Sequence, residues 1–267
     1  METMSGKRRA THAARKLISS AGLLMLAAGS ASAQGREWPV HSMERPAPPV
    51  VKPGGAVAPM APPSDAIILF SGGTLGAWQA AKGGPARWRA TREFFEVVPG
   101  TGSIHSRAAF GDAQVHVEWR SPAPAVGEGQ DRGNSGVFLM GRYEIQVLDS
   151  HQNPTYADGQ AAAVYAQHPP LVNASRPPGQ WQTYDIVFRR PRFDANGTLV
   201  SPATVTLLHN GVLVQDGVAL TGPVAHGARP PYEAHPDRLP LALQDHGQPV
   251  QFRNVWVRDL EKEEAGR

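Results

Sequence analysis

What most limits the fold of this chain is a succession of short apolar runs, none spaced for a helix. Beyond residue 33 no segment keeps a 3.6-residue period. Instead AIILF (66–70), FFEVV (94–98), QVHVEW (114–119), SGVFLM (135–140), RYEIQVL (142–148), TYDIVFRR (183–190), TVTLLH (204–209), VLVQ (212–215) and VQFRNVWVRDL (250–260) follow one another. They are rich in β-branched and aromatic residues and bounded by Gly, Pro, Asn or Asp, as strands are. LLHNGVLVQ reads as a hairpin, because Asn210-Gly211 supplies the positive φ angles of a type I′ turn. Such a series without helices predicts an all-β sandwich or jelly roll.

The 267-residue chain begins with Lys7, Arg8, Arg9, Arg15 and Lys16, an apolar run from Leu17 to Ala28, and small residues at Ala31 and Ala33. This order predicts a secretory signal over residues 1–33, cut before Gln34. The run falls short of the ~20 residues of a membrane span. The Arg8-Arg9 pair leaves both the general and the twin-arginine export routes open. With no cysteine to carry a lipid, the mature protein is predicted to be periplasmic or secreted, without a membrane anchor. The signal holds five Lys/Arg and one Glu, so the formal charge of +3 becomes −1 once its +4 is removed. That balance offers no basic stripe to a nucleic acid. Without disulfides, stability must come from a sizeable core. Eight prolines between Gln34 and Pro63 predict a poorly ordered linker over 34–64. The folded domain is then expected over 65–260, with a charged tail at 261–267.

YEIQVLDS carries polar residues where a simple buried strand would carry Val or Thr. Alternation puts Glu144 and Gln146 on one face, with Ile145 and Val147 on the other. A β-bulge after Val147 would bring Asp149 beside them. In LQDHG, His246 is suited to proton transfer near neutral pH, and Asp245 could orient it or ligate a cation. The blander alternative there is a turn in which Asp and Gly serve backbone geometry. Arg253 shares a face with Gln251, and is either a partner for substrate oxygens or half of a structural ion pair. Trp78, Trp88, Trp119, Trp181 and Trp256 are assigned to the core. Asp149 and Asp245 are the oxygen ligands that would suit a divalent cation such as Ca²⁺, although no spacing approaches a strong metal signature and no cofactor is required.

ILFSGGTLGAWQ, GDAQVHVEWRSP, GNSGVFLMGRYEIQVLDS, PPGQWQTYDIVFRRPRFD, LLHNGVLVQD and LALQDHGQPVQFRNVWVRDL resemble, in this order, the family first called domain of unknown function 1080, now named for 3-keto-disaccharide (3-keto-glycoside) hydrolysis. The resemblance covers residues 65–260. It implies a concanavalin A-like lectin/glucanase jelly-roll sandwich acting on carbohydrate. PRFDANGTLVSPAT is longer than in the family and is expected to be a surface loop. Glu144, His246 and Asp149 are the catalytic candidates, and Asn134, Arg142, Gln146, Gln167, Gln244 and Arg253 the substrate-binding ones; the resemblance strengthens His246 and implies that Tyr165 and Gln167 lie in a loop near the sugar. E-x-Q-x-x-D also resembles the E-x-D-x-x-E strand of family 16 glucanases, but Gln146 replaces the middle acid and weakens a two-carboxylate mechanism. The leading expectation is cleavage of 3-keto-glycosides by C2 deprotonation and elimination, followed by hydration, with Glu144 or His246 as base. The alternatives are a non-catalytic carbohydrate-binding module and a direct β-glucanase.

Overall fold

The computed structural model describes residues 38–55 and 60–261; the predicted signal lies outside them. In chain order the strands are β1 (Ile67–Phe70), β2 (Trp78–Ala80), β3 (Arg89–Ala90), β4 (Phe95–Glu96) and β5 (Ile104–Phe110). They continue with β6 (Ala113–Arg120), β7 (Ser135–Leu139), β8 (Tyr143–Val147), β9 (Gln182–Arg189) and β10 (Arg192–Phe193). Last come β11 (Leu199–Ser201), β12 (Thr204–His209), β13 (Val212–Ala219), β14 (Leu239–Leu243) and β15 (Gln251–Asp259). The larger sheet runs β13-β12-β9-β6-β15-β4-β3, with β1 also on β15; the smaller runs β2-β5-β14-β7-β8. Their ladders are antiparallel, and the architecture is a jelly-roll β-sandwich.

The core follows from alternation. Val115, Val117 and Trp119 of β6, Tyr184, Ile186 and Phe188 of β9, and Ile145 and Val147 of β8 are all buried in one cluster. Burying apolar side chains at about 25 cal/mol per Å² is the main stabilising term available to a chain without disulfides. Trp78, Trp88, Trp119 and Trp256 are buried as expected. Trp181 is not: it lies outside the large sheet, under the guanidinium of Arg253 at 4.2 Å and that of Arg120 at 4.6 Å. Asn210 and Gly211 take positive φ and turn β12 into β13. The PRFDANGTLVSPAT insert is not a plain loop but contains the β10–β11 ribbon.

Residues 38–55, inside the expected linker, are hydrogen-bonded to the domain. Asn173 donates to the Pro49 carbonyl at 2.9 Å, and Val51 donates to Asn173 at 3.0 Å. Arg176 donates to the carbonyls of Gly54 and Gly55. Proline removes donors, but its carbonyl still accepts, so a proline-rich stretch can be hydrogen-bonded to a domain.

The expected bulge is corrected. The β7–β8 ladder is regular from Ser135↔Val147 to Leu139↔Tyr143, and β8 ends at Val147. One register shift falls in β15, between Arg253 and Trp256, where Asn254 has φ 46°. No helix of the described residues is long and apolar enough to cross a membrane.

Candidate active site

The outer face of β8 supplies the floor of a cavity of about 320 Å³. Glu144 and Gln146 enter it from this strand, and Phe138 from β7, directly opposite Glu144. Asn134 precedes β7, and Gln244 and His246 follow β14. Tyr165 and His226 close it from two loops. β8 lies at the edge of its sheet, but that edge is occupied. Gln146 donates to the Ala163 carbonyl at 3.0 Å, Ala162 donates to the Gln146 carbonyl at 2.9 Å, and Tyr165 donates to the Glu144 carbonyl at 3.2 Å. The same hydrogen bonds that protect the edge place the Tyr165 ring beside Glu144.

Glu144 is only 6% exposed, and among the described residues no cation offsets its charge, so burial pushes its pKa up to about 8. Its room comes from Gly136, since a Cβ there would collide with Glu144 Oε1 and with the Phe138 ring. The Gly of GNSGV is therefore a recess for the acid. The Gln146 amide lies 3.2 Å from Glu144 Oε1. In one orientation it donates to that carboxyl and to the Ser135 carbonyl; in the other its nitrogen donates to Gln130 Oε1 at 2.9 Å. Gln244 Oε1 is buried without a hydrogen-bond partner among the described residues. Asn134 is held by the Gln130 carbonyl at 2.7 Å.

One wall is aromatic. Tyr165 Oη lies 2.9 Å from Tyr156 Oη and 3.4 Å from His226 Nδ1. Burial raises the pKa of both tyrosines. His41, from the segment before the first strand, stacks on Tyr156 at 4.0 Å and meets the Tyr165 edge at 5.1 Å. His41 is anchored by its amide, which donates to Asp158 Oδ2 at 3.2 Å.

Of the residues singled out from sequence, the structure brings together Glu144, Gln146, Asn134, Gln244, His246 and Tyr165. It places the others elsewhere. Asp149 lies past the end of β8, ion-paired to Arg132 at 2.9 Å and accepting from the His151 amide at 3.1 Å. Gln167 spends its amide on the Gly222 carbonyl and the Thr221 nitrogen. Arg253 is on the other sheet, 2.6 Å from Glu118. Arg142 lines an adjoining hollow. Asp245 accepts from the Gly102 and Gly247 amides, the backbone role that was its alternative reading. Among the described residues no group of three or more His, Cys, Asp or Glu is placed to hold a metal ion. Sequence reasoning passed over Phe138 and His226. Phe138 was legible as the cross-strand neighbour of Glu144; His226 sits in a loop with no periodic signal.

The model of the 3-keto-alpha-glucoside-1,2-lyase-like domain matches residues 65–258. The chain belongs to that family. A crystal structure of a “putative glycosyl hydrolase” from Parabacteroides distasonis is similar at 42% identity and a TM-score of 0.73, over 80% of this chain and 92% of that one. Two further structures with that description, from the same organism, share the fold at 18% identity. One has a TM-score of 0.52 over 73% of this chain and 93% of its own, the other 0.53 over 73% and 98%. No curated protein matches. The family member described here is a carbohydrate-active enzyme of the glycoside hydrolase or lyase kind.

Proposed function

We propose that the protein cleaves 3-keto-glycosides by removing the hydrogen at C2, and that it does so after export. The observation that carries this reading is a lone buried carboxyl, Glu144, whose pKa of about 8 suits a base for a weakly acidic carbon. A ketone at C3 acidifies the C2 hydrogen. Glu144 takes that proton, the C2 electron pair forms the enolate, and its collapse breaks the C1–O bond. The departing oxygen takes a proton from His246 or from water. Addition of water across the new double bond makes the net reaction a hydrolysis; without it, the product is that of a lyase.

Tyr165, paired with His226, is a donor for the enolate oxygen. Gln146, Asn134 and Gln244 are partners for sugar hydroxyls. A retaining glucanase would need a second carboxylate about 5–5.5 Å from the first. Asp149, the candidate for it, is engaged with Arg132 outside the cavity. The family description, a 1,2-lyase on 3-keto-α-glucosides, agrees with elimination across C1 and C2.

The test is turnover of a 3-keto-α-glucoside carrying deuterium at C2. Exchange of the label with solvent, or a primary isotope effect, is expected. Cleavage with the label retained and no isotope effect would overturn the elimination. Cleavage of the unoxidised glycoside at a similar rate would favour a direct glycosidase.

A further inference from the structure

Beside the Glu144 cavity lies a larger hollow of about 540 Å³, and the two share Val224 as a wall. The sheet register links them. Glu144 on β8 is opposite Phe138 on β7, Phe138 is opposite Ala242 on β14, and Ala242 is opposite His105 on β5. Residues directly opposite in a sheet share a face, so these four form one row across its outer surface. With strands about 4.8 Å apart, three spacings carry the row about 14 Å from Glu144 to His105. That is the length of two linked rings. Ala242, a single methyl, keeps the middle of the row low. The other end of the Glu144 cavity is walled: Asp245, between Gln244 and His246, accepts from the Gly102 amide at 2.9 Å, and its own amide donates to Ser103 Oγ at 3.1 Å.

The hollow holds two polar side chains, His105 and Arg142, and neither has a hydrogen-bond or ion-pair partner among the described residues. Both are half-buried. Other arginines of this protein, Arg190, Arg238 and Arg253 among them, reach a carboxylate within 3 Å. Arg142 ends the tight turn that leads from β7 into β8, two residues before Glu144. Met140, Pro223, Pro236 and Leu239 make the remaining surface apolar.

We infer that this hollow is the leaving-group subsite, and that it takes an aglycone with a flat apolar ring bearing a carboxylate or similar anion, which Arg142 grips. The inference rests on the 3-keto-glycoside reading of the Glu144 cavity. A guanidinium matches a carboxylate with two parallel donors, and apolar walls fix the ring between them. Burial lowers the His105 pKa, so its imidazole is neutral and free to meet a second oxygen.

The test is binding, by calorimetry, of the methyl, phenyl and 4-carboxyphenyl 3-keto-α-glucosides to the Glu144→Gln protein, alone and combined with Arg142→Ala or Arg142→Lys. The carboxyphenyl compound is expected to bind about tenfold tighter than the phenyl one, the size of one charge-assisted hydrogen bond. That ratio should fall to about one with Arg142→Ala and be partly kept with Arg142→Lys. Binding of all three compounds with a ratio near one, or with a ratio that Arg142→Ala leaves in place, overturns the subsite alone. Binding of none overturns the subsite and the 3-keto reading together. A ratio that depends on Arg142, with wild-type turnover that retains the C2 hydrogen, sustains the subsite and removes only the elimination mechanism.

Discussion

β8 and β6 each carry two buried polar side chains two residues apart on an outer face: Glu144 and Gln146 on the small sheet, His116 and Glu118 on the large one. In sequence the two patterns look alike. In the fold they are opposites. Glu118 meets Arg253 at 2.6 Å, Asn254 at 2.8 Å and His116 at 3.6 Å. Burial pulls its pKa upward, but those partners outweigh burial and hold it below the ordinary value. His116 lies between Glu118 and Asp185, the latter at 2.6 Å; burial alone would lower its pKa, and the two carboxylates carry it up to about 9. Glu144 has no such company, and burial alone sets it near 8. Burial does not make an acid useful; burial without a counter-charge does.

The largest effect expected is on rate. Glu144→Gln should lower turnover of a 3-keto-glycoside by about 10²–10⁴-fold, as loss of a proton-transfer group does. Glu118→Gln should leave turnover within a few-fold and instead cost about 3–5 kcal/mol of stability, because it strands His116 and Arg253 in a buried network. Denaturant melts and kinetics on both variants check this. A collapse of turnover in Glu118→Gln at unchanged stability would erase the distinction.

pH sharpens the same contrast. Glu144, with a folded pKa near 8 against an ordinary 4.5, keeps a proton in the native state that the unfolded chain has lost. Native stability therefore falls as pH rises from about 4.5 to 8, and Glu144→Gln should remove that fall. Its Tm advantage over the wild type should widen through this window and be level above it. His116 adds stability that is full below pH 6.5 and lost as pH rises towards 9, in both proteins. Turnover should rise with pH up to about 8 as Glu144 ionises. A flat rate profile between pH 6 and 9 would mean that another group is the base.

Smaller effects come from the surroundings. Gly136→Ala drives a methyl into Glu144 and Phe138; overpacking of this kind costs about 1–3 kcal/mol and should lower the maximal rate more than it weakens substrate binding. His41→Ala removes a ring stacked on Tyr156, about 1 kcal/mol, and should move KM a few-fold through Tyr165 without touching the C2 isotope effect.

All nine strand runs read from sequence are strands in the fold, because period-2 alternation survives wherever one face is buried. β5, IHSRAAF, and β14, LPLAL, escaped notice: the first is broken by polar residues that line the outer face, the second by Pro240. That Glu144 and Gln146 share a face was legible by alternation; that the face is a site needed Asn134 and the QDH segment as well. The place of Asp149 was not legible, because nothing in YEIQVLDS marks the end of pairing at Val147. Arg253 was misplaced for the complementary reason. The β15 bulge turns Asn254 outward beside it, and a bulge without glycine leaves little trace in sequence. The hydrogen bonds of residues 49–55 were not legible, because proline content reports missing donors and says nothing of accepting carbonyls.

Glu144 and Gln146 stand on one face of β8, about 6.8 Å apart along a strand paired on one side and capped by backbone on the other, and Arg142 ends the turn that enters it. The spacing between the proposed base and the leaving-group cation is thus set by β8 and the tight hydrogen-bonded turn that enters it. A catalytic ruler of this kind loses its graduations only when the sheet itself melts. Activity should then keep climbing with temperature to the edge of global unfolding, instead of fading earlier as it does in enzymes whose sites are assembled by mobile lids.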